Sequence, residues 1–162
     1  MKRKTAIFAL WAMATTGVMV SGCATSSGGV TNNAPEQKLL VQYSDPAFEE
    51  ALNQAGLKSP LTEYWQSHGT RDWKRRYELE KFPKPVQEKF YVAYYANAWT
   101  IRSVLVTAVN LTTQTPSVDI ALTIVDPEKK KDTVHSLKDM WELTDGTWRH
   151  IVQDPMLSGF AQ

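Results

Sequence analysis

The fold is decided by the stretch Trp141-Glu142-Leu143-Thr144-Asp145-Gly146-Thr147-Trp148-Arg149-His150-Ile151. Its central pair, Asp145-Gly146, favours the positive φ angles of a two-residue type I′ turn. Apolar and aromatic residues flank this pair on both sides, as in two antiparallel strands joined by a tight turn. We therefore predict a β-hairpin here, and with it a sheet in the second half of the chain.

The residues upstream of the hairpin also favour strands. In 118–124 apolar residues alternate with Asp119, Ala121 and Thr123, which is the pattern of a half-buried strand. Residues 100–110 carry apolar residues on both faces, which predicts a strand covered on both sides. Residues 133–143 fit either a helix or a strand, and the adjacent hairpin favours a strand with a bulge near Val134.

The first half of the domain reads as helices. Asp45-Pro46 and Ser59-Pro60 each combine a capping residue with proline at the first helical position. Thr70 is the expected cap of a third short helix. Residues 85–97 fit a fourth helix, although 91–95 also fit a strand. Helices followed by strands predict an α+β fold, with N-terminal helices packed on a curved antiparallel sheet of about four strands.

The first residues have the layout of a secretory signal. The positive charges of residues 2–4 precede an uncharged, mostly apolar stretch that ends on the small residues Ser21 and Gly22. The alternative is a retained transmembrane helix, but spanning needs about 20 apolar residues and Thr15, Thr16 and Gly17 interrupt this stretch. We predict a signal peptide over 1–22.

The end of this signal, Val20-Ser21-Gly22-Cys23, resembles the lipobox of bacterial lipoproteins. The resemblance implies cleavage before Cys23 and acylation of its sulfur and new amino group, and two or more acyl chains give stable membrane attachment. Ala24 stands where an aspartate would retain such a protein in the inner membrane. The implied location is therefore the cell envelope, at the periplasmic face of the outer membrane.

Residues 23–38 form the lipidated cysteine and a flexible tether of small and polar residues, with a reach of about 20 Å. One domain, 39–162, follows. Cys23 is the only cysteine, so the chain can form no internal disulfide. Loss of residues 1–22 removes three positive charges and changes the net charge from +1 to −2. That charge and the envelope location argue against a nucleic-acid partner.

The domain also resembles the nuclear transport factor 2-like superfamily. The resemblance is carried by an aromatic helix ending in Trp65, by Arg71-Asp72-Trp73-Lys74-Arg75-Arg76-Tyr77, and by the final hairpin. It implies helices wrapped around a strongly curved sheet, enclosing an apolar cavity. Enzymes of this superfamily place a carboxylate, histidine or tyrosine in that cavity. Here Asp119, His150 and Tyr94 are the candidates.

No catalytic motif is present in the sequence, and we predict no catalytic residues, no metal and no cofactor apart from the covalent lipid. The alternating strand places Asp119 at the solvent side, and His150 fits the surface of a hairpin. His68, at helical spacing from Leu61, Tyr64 and Trp65, fits a half-buried packing residue.

One basic surface stands out. Arg71, Lys74 and Arg75 share one side of the predicted third helix, with Lys81 and Lys84 further on, and could contact anionic lipid headgroups or a partner protein. A plain solvated surface is the alternative. The expected function is a non-catalytic, lipid-anchored periplasmic domain that binds an envelope protein or a small apolar ligand. The alternatives are a cavity enzyme of the isomerase or dehydratase type and a passive structural component of an envelope complex.

Overall fold

The computed structural model describes residues 38–158, which belong to one compact unit, Asn33–Gln162. The elements follow in the order β1 (Val41–Tyr43), α1 (Pro46–Gln54), α2 (Lys58–Gly69), α3 (Trp73–Glu78), β2 (Glu80–Lys81), α4 (Glu88–Tyr95), β3 (Ile101–Asn110), β4 (Ser117–Val125), β5 (Asp132–Thr144), β6 (Thr147–Ile151) and α5 (Pro155–Ser158). The predicted signal peptide and all of the predicted tether except Lys38 lie outside the described residues.

The six strands form one mixed sheet in the order β1-β3-β4-β5-β6-β2. Strands β3 to β6 are antiparallel neighbours, whereas β1 pairs with β3 and β2 pairs with β6 in parallel. The predicted antiparallel sheet of about four strands is therefore wrong in strand number and in sheet type. The two edge strands have three and two residues, too few to show an alternating pattern.

Local capping chemistry sets the starts of α1 and α3, whereas α2 begins at Lys58 after Leu57 with no side-chain cap, so the predicted Ser59 cap is wrong. Asp45 accepts a hydrogen bond from the Ala47 amide at 2.8 Å, as the Asp45-Pro46 signal predicts. The predicted cap of the third helix is wrong, because Asp72 rather than Thr70 accepts the bond from the Arg75 amide, at 3.0 Å. Residues 88–95, which fitted a helix or a strand, are helical. Within the described range, every helix is too short or too polar to cross a bilayer.

The hairpin is confirmed. Asp145 and Gly146 have φ angles of 51° and 75°, and Thr144 pairs with Thr147 across the turn. Residues 132–144 form one strand, but the bulge predicted near Val134 is wrong, because β4 and β5 pair without a register shift. The shifts lie in β3, at 101–103 and 106–108. They explain why its apolar residues do not follow a simple two-residue period.

The main core lies between the first two helices and one face of the sheet. Its largest fully buried side chains include Tyr64 and Trp141, which pack edge to face with ring centroids 5.8 Å apart. A second cluster joins α3, α4 and α5 through Trp73, Tyr91 and Leu157. Large aromatic rings thus occupy the region between helices and sheet.

Candidate functional site

Four charged side chains meet in the interior, and we call them the buried charge cluster: Arg76, Glu80, Asp139 and His150. They come from α3, β2, β5 and β6, and their exposed fractions are 5%, 5%, 2% and 8%. A charge buried without a partner is very costly, so their arrangement decides whether this interior is stable.

His150 lies between the two carboxylates. Its Nδ1 is 2.7 Å from Glu80 Oε2, and its Nε2 is 3.5 Å from Asp139 Oδ1. A ring that faces an acceptor at each nitrogen satisfies both only as the doubly protonated imidazolium. Burial by itself would lower the pKa of His150, but the interactions with Asp139 and Glu80 raise it to about 9.

Glu80 accepts hydrogen bonds from three side chains. Besides His150, the hydroxyls of Tyr64 and Tyr91 each donate to its Oε1 at 2.9 Å. Burial favours the protonated carboxyl, but the bonds from His150 and Tyr64 and the charges of His150 and Arg76 hold the pKa of Glu80 below its ordinary value. Glu80 is therefore ionised in the neutral range and depends on its partners for compensation.

Arg76 and Asp139 complete the cluster. The Arg76 guanidinium lies over the rings of Tyr64 and Tyr95, 4.5 and 4.6 Å from their centroids, and its Nη2 donates to the Tyr64 hydroxyl at 2.5 Å. Asp139 accepts from Trp65 Nε1 at 3.0 Å. With His150 protonated, the cluster has two positive and two negative charges. The buried charge cluster and its aromatic partners therefore connect α2, α3 and α4 to the sheet, and the positive and negative charges of the cluster are equal in number.

The three candidate cavity residues, Tyr94, Asp119 and His150, do not converge. Tyr94 donates to Asp154 Oδ2 at 2.8 Å on the surface, and the Asp119 carboxylate lies 3.6 Å from Lys138 Nζ. His150 belongs to the buried charge cluster and is not on the hairpin surface as predicted. Each candidate thus contacts a different partner.

His68 is half-buried, in agreement with the predicted packing role. Its Nε2 lies 3.2 Å from the carbonyl oxygen of Trp99, and its ring meets the edge of Trp73. Burial and the charge of Arg76 lower the pKa of His68 to about 3, so the ring is neutral at physiological pH.

Two residues of the predicted basic face bind neighbouring groups of the chain itself. Arg71 has a φ of 58° just before α3 and donates to the carbonyl oxygens of Ala96 and Ala98 at 3.0 and 3.3 Å. Arg75 pairs with Glu63 at 2.7 Å and with Glu78 at 2.8 Å. Lys74 is exposed. The face therefore carries less uncompensated charge than its sequence indicates.

An apolar groove lies between α4 and α5, with a volume of about 500 Å³. We call it the α4–α5 groove; it is lined by Pro85, Val86, Gln87, Phe90, Met156 and Leu157. Phe90 is 48% exposed and Met156 46%, whereas Leu157 is buried. Exposed apolar side chains that line one groove together, as Phe90 and Met156 do, mark binding surfaces more often than apolar side chains exposed singly.

Asp154 ties the two helices at this groove together. Its Oδ1 accepts from the Met156 amide at 2.9 Å, and its Oδ2 accepts from the Tyr94 hydroxyl. The Tyr94 ring stacks with that of Phe90, with centroids 6.2 Å apart. The Asp154 carboxylate thereby connects α4 and α5, the two helices that form the walls of the α4–α5 groove.

Neither the buried charge cluster nor the α4–α5 groove was predicted from the sequence, although signals for both exist. Asp139 follows Leu137 and precedes Trp141 on one strand face, and an acid on an apolar face indicates a buried partner. Asp154-Pro155 repeats the signal of Asp45-Pro46 and marks the start of α5. Between residues 38 and 158, no three His, Cys, Asp or Glu side chains are grouped so as to hold a metal ion.

No family model matches the chain, and no curated protein matches it. Among solved structures, the chain is similar to a SEC-C motif containing protein from Rhodopseudomonas palustris, determined in solution, with a TM-score of 0.48 and 9% identity. The similarity covers 65% of this chain and 88% of that one.

The family resemblances predicted from the sequence are not upheld. The mixed sheet with two parallel edge strands differs from the antiparallel sheet expected of a nuclear transport factor 2-like domain, and buried rings occupy the interior where a cavity was expected. No family model supports either that superfamily or the lipobox. The lipobox itself, Val20–Cys23, lies outside the described residues.

Proposed function

We propose that this protein is a non-catalytic binding domain, anchored by lipid on Cys23 at the periplasmic face of the outer membrane, that holds an apolar segment of an envelope protein in the α4–α5 groove. The observation that carries the proposal is the exposure of Phe90 and Met156 on facing helices. The anchor rests on residues 1–23 alone: a basic start, an apolar stretch, small residues and a cysteine.

A protein segment fits this groove better than an enclosed small ligand does. The interior is filled by aromatic side chains such as Tyr64 and Trp141. The apolar surface lies outside, and its Phe90 and Met156 belong to residue types that are enriched at the centres of protein interfaces. Gln87 and the Tyr94–Asp154 pair border it and supply polar groups for the rim.

A cavity enzyme is the competing function. It requires an accessible acid or base, whereas His150 is 8% exposed and held by two carboxylates. Tyr94 is accessible, but its hydroxyl already donates a hydrogen bond to Asp154 Oδ2. The geometry therefore favours binding over catalysis.

The proposal is tested by photo-crosslinking in intact cells from a benzophenone amino acid placed at position 90. The matched control is position 134, because Val134 is also apolar and 68% exposed but lies on β5, outside the groove. We expect a discrete protein adduct from position 90, absent from position 134 and removed by Met156→Glu. Equal adducts from both positions, or none from position 90, would rule out the groove as the docking site.

The Met156→Glu variant also distinguishes a binding domain from a passive structural component. If Met156→Glu leaves the protein folded and membrane-bound but removes the adduct, the groove recognises a specific partner. If the adduct persists with Met156→Glu, the contact does not depend on the groove and the proposal is wrong.

A further inference from the structure

The α4–α5 groove shares a wall with the part of the chain that holds Glu80. Pro85, Val86, Gln87 and Phe90 all belong to residues 80–95, here called the β2–α4 segment. Its edge strand β2 has two residues, and the parallel pairing with β6 brings Glu80 opposite His150. Two neighbouring backbone bonds, from His150 N to Leu79 O and from Val152 N to Lys81 O, accompany this pairing.

Side chains therefore carry much of the attachment of this segment to the sheet. Glu80 binds His150 of β6, and Tyr91 of α4 donates to the same Glu80 carboxylate. Tyr91 is fully buried one residue from Phe90, which lines the groove. The inner side of α4 thus touches the buried charge cluster while its outer side forms the groove.

We infer that the β2–α4 segment separates from β6 as His150 loses its proton, so that this opening dismantles one wall of the α4–α5 groove and makes partner binding proton-linked. The inference rests on the proposed function of the groove. A neutral His150 donates to one carboxylate at most, and neither buried carboxylate then keeps the positive charge of the imidazolium beside it.

The charged and titratable groups around His150 come from every element packed against it: Tyr64 of α2, Arg76 of α3, Glu80 of β2, Tyr91 of α4 and Asp139 of β5. Burial raises the pKa of Tyr64 and of Tyr91, so neither ionises in the neutral range. The pKa of Glu80 lies below its ordinary value. Among the groups whose pKa is shifted here, His150 changes charge first as the pH rises.

The pKa of His150 determines the direction in which pH changes the closing of the β2–α4 segment and the pH range over which it does so. This pKa is about 9 with the segment closed. An open, solvated histidine has a pKa of about 6.5. Closing is therefore favoured fully below about pH 6.5 and loses this contribution as the pH rises to about 9. One proton released per opening gives about a tenfold increase in the opening constant per pH unit, or about 300-fold across the range.

Hydrogen exchange measured by mass spectrometry on the full chain in mild detergent tests this link. After correction for the intrinsic pH dependence of exchange, the opening constant measured from the amides of α4 should increase about tenfold per pH unit from about 6.5 to 9. Amides of α1 should not follow. His150→Gln should make α4 less protected and remove the slope, whereas His135→Gln, which changes an exposed histidine, should keep it.

A slope that survives in His150→Gln would overturn the inference, as would loss of α1 and α4 protection together. Photo-crosslinking from position 90 in envelope membranes at pH 6.5 and 8.5 separates the two proposals. Equal adducts at both pH values would refute the proton link and leave the docking site standing. A pH-dependent opening of α4 without adducts at either pH would refute the docking site instead.

Discussion

At the scale of single residues, Glu80 shows how a buried charge is made tolerable. Its two oxygens accept bonds from His150, Tyr64 and Tyr91, so removing the charge leaves donors without an acceptor and His150 without part of its counter-charge. Breaking a buried pair by removing one partner typically costs about 3–5 kcal/mol.

We expect Glu80→Gln to lower the free energy of unfolding by about 3 kcal/mol or more, measured by urea denaturation. Asp132→Asn is the matched control, because it breaks an exposed pair with Arg102 at 2.8 Å and should cost less than about 1 kcal/mol. Similar losses in the two variants would show that the buried charge cluster adds no special stability.

The double variant Glu80→Gln with His150→Gln removes one charge of each sign. One charge of each sign then remains, on Arg76 and Asp139, so the double variant should be more stable than the sum of the single losses predicts, by at least about 1 kcal/mol. Additive losses in the same denaturation experiment would contradict a direct coupling between Glu80 and His150.

At the scale of elements, α1 and α5 begin with the same capping arrangement but differ in what they support. Asp45 accepts from the Ala47 amide at 2.8 Å, and Asp154 accepts from the Met156 amide at 2.9 Å. Only Asp154 also binds Tyr94 of α4.

Asp45→Ala and Asp154→Ala should each lower the free energy of unfolding by about 1 kcal/mol, the usual effect of losing an N-cap. Only Asp154→Ala should reduce crosslinking from position 90, because it also releases α5 from α4. A comparable reduction with Asp45→Ala would mean that the groove responds to general destabilisation.

The hairpin turn between β5 and β6 is a second test at this scale. Gly146 has a φ of 75° and a Cβ added there meets no atom within 4 Å, so alanine would suffer backbone strain but no clash. Gly146→Ala should therefore cost about 1–2 kcal/mol in thermal or urea unfolding without disturbing the core. An unchanged stability would show that the turn tolerates another backbone conformation.

At the scale of the whole molecule, the proposed anchor decides where the domain works. Cys23→Ser should abolish acylation and leave residues 1–22 attached, since acylation of the sulfur is the attachment that the residues around Cys23 predict. Fractionation followed by intact-mass measurement checks both expectations. A Cys23→Ser protein that stays in the membrane at the wild-type mass would refute lipid anchoring.

Local chemistry alone determined the helix start at Pro46 and the turn at Asp145-Gly146, because a cap and a positive-φ pair act within a few residues. It also predicts the secretory layout of residues 1–23. The two edge strands, β1 and β2, were decided by the tertiary structure, because no local pattern in the sequence predicts them. Strands β1 and β2 exist only through parallel partners distant in the chain, and their two or three residues carry no period.

The same difference between local sequence patterns and long-range packing explains why neither site was predicted from the sequence. Asp139 could be recognised as an acid on an apolar face, but its partner His150 and the more distant Glu80 are joined only by the pairing of β5, β6 and β2. The α4–α5 groove likewise arises where residues 85–90 meet 156–157. Sequence determines the properties of each side chain, whereas long-range packing determines which side chains meet and which apolar ones stay exposed.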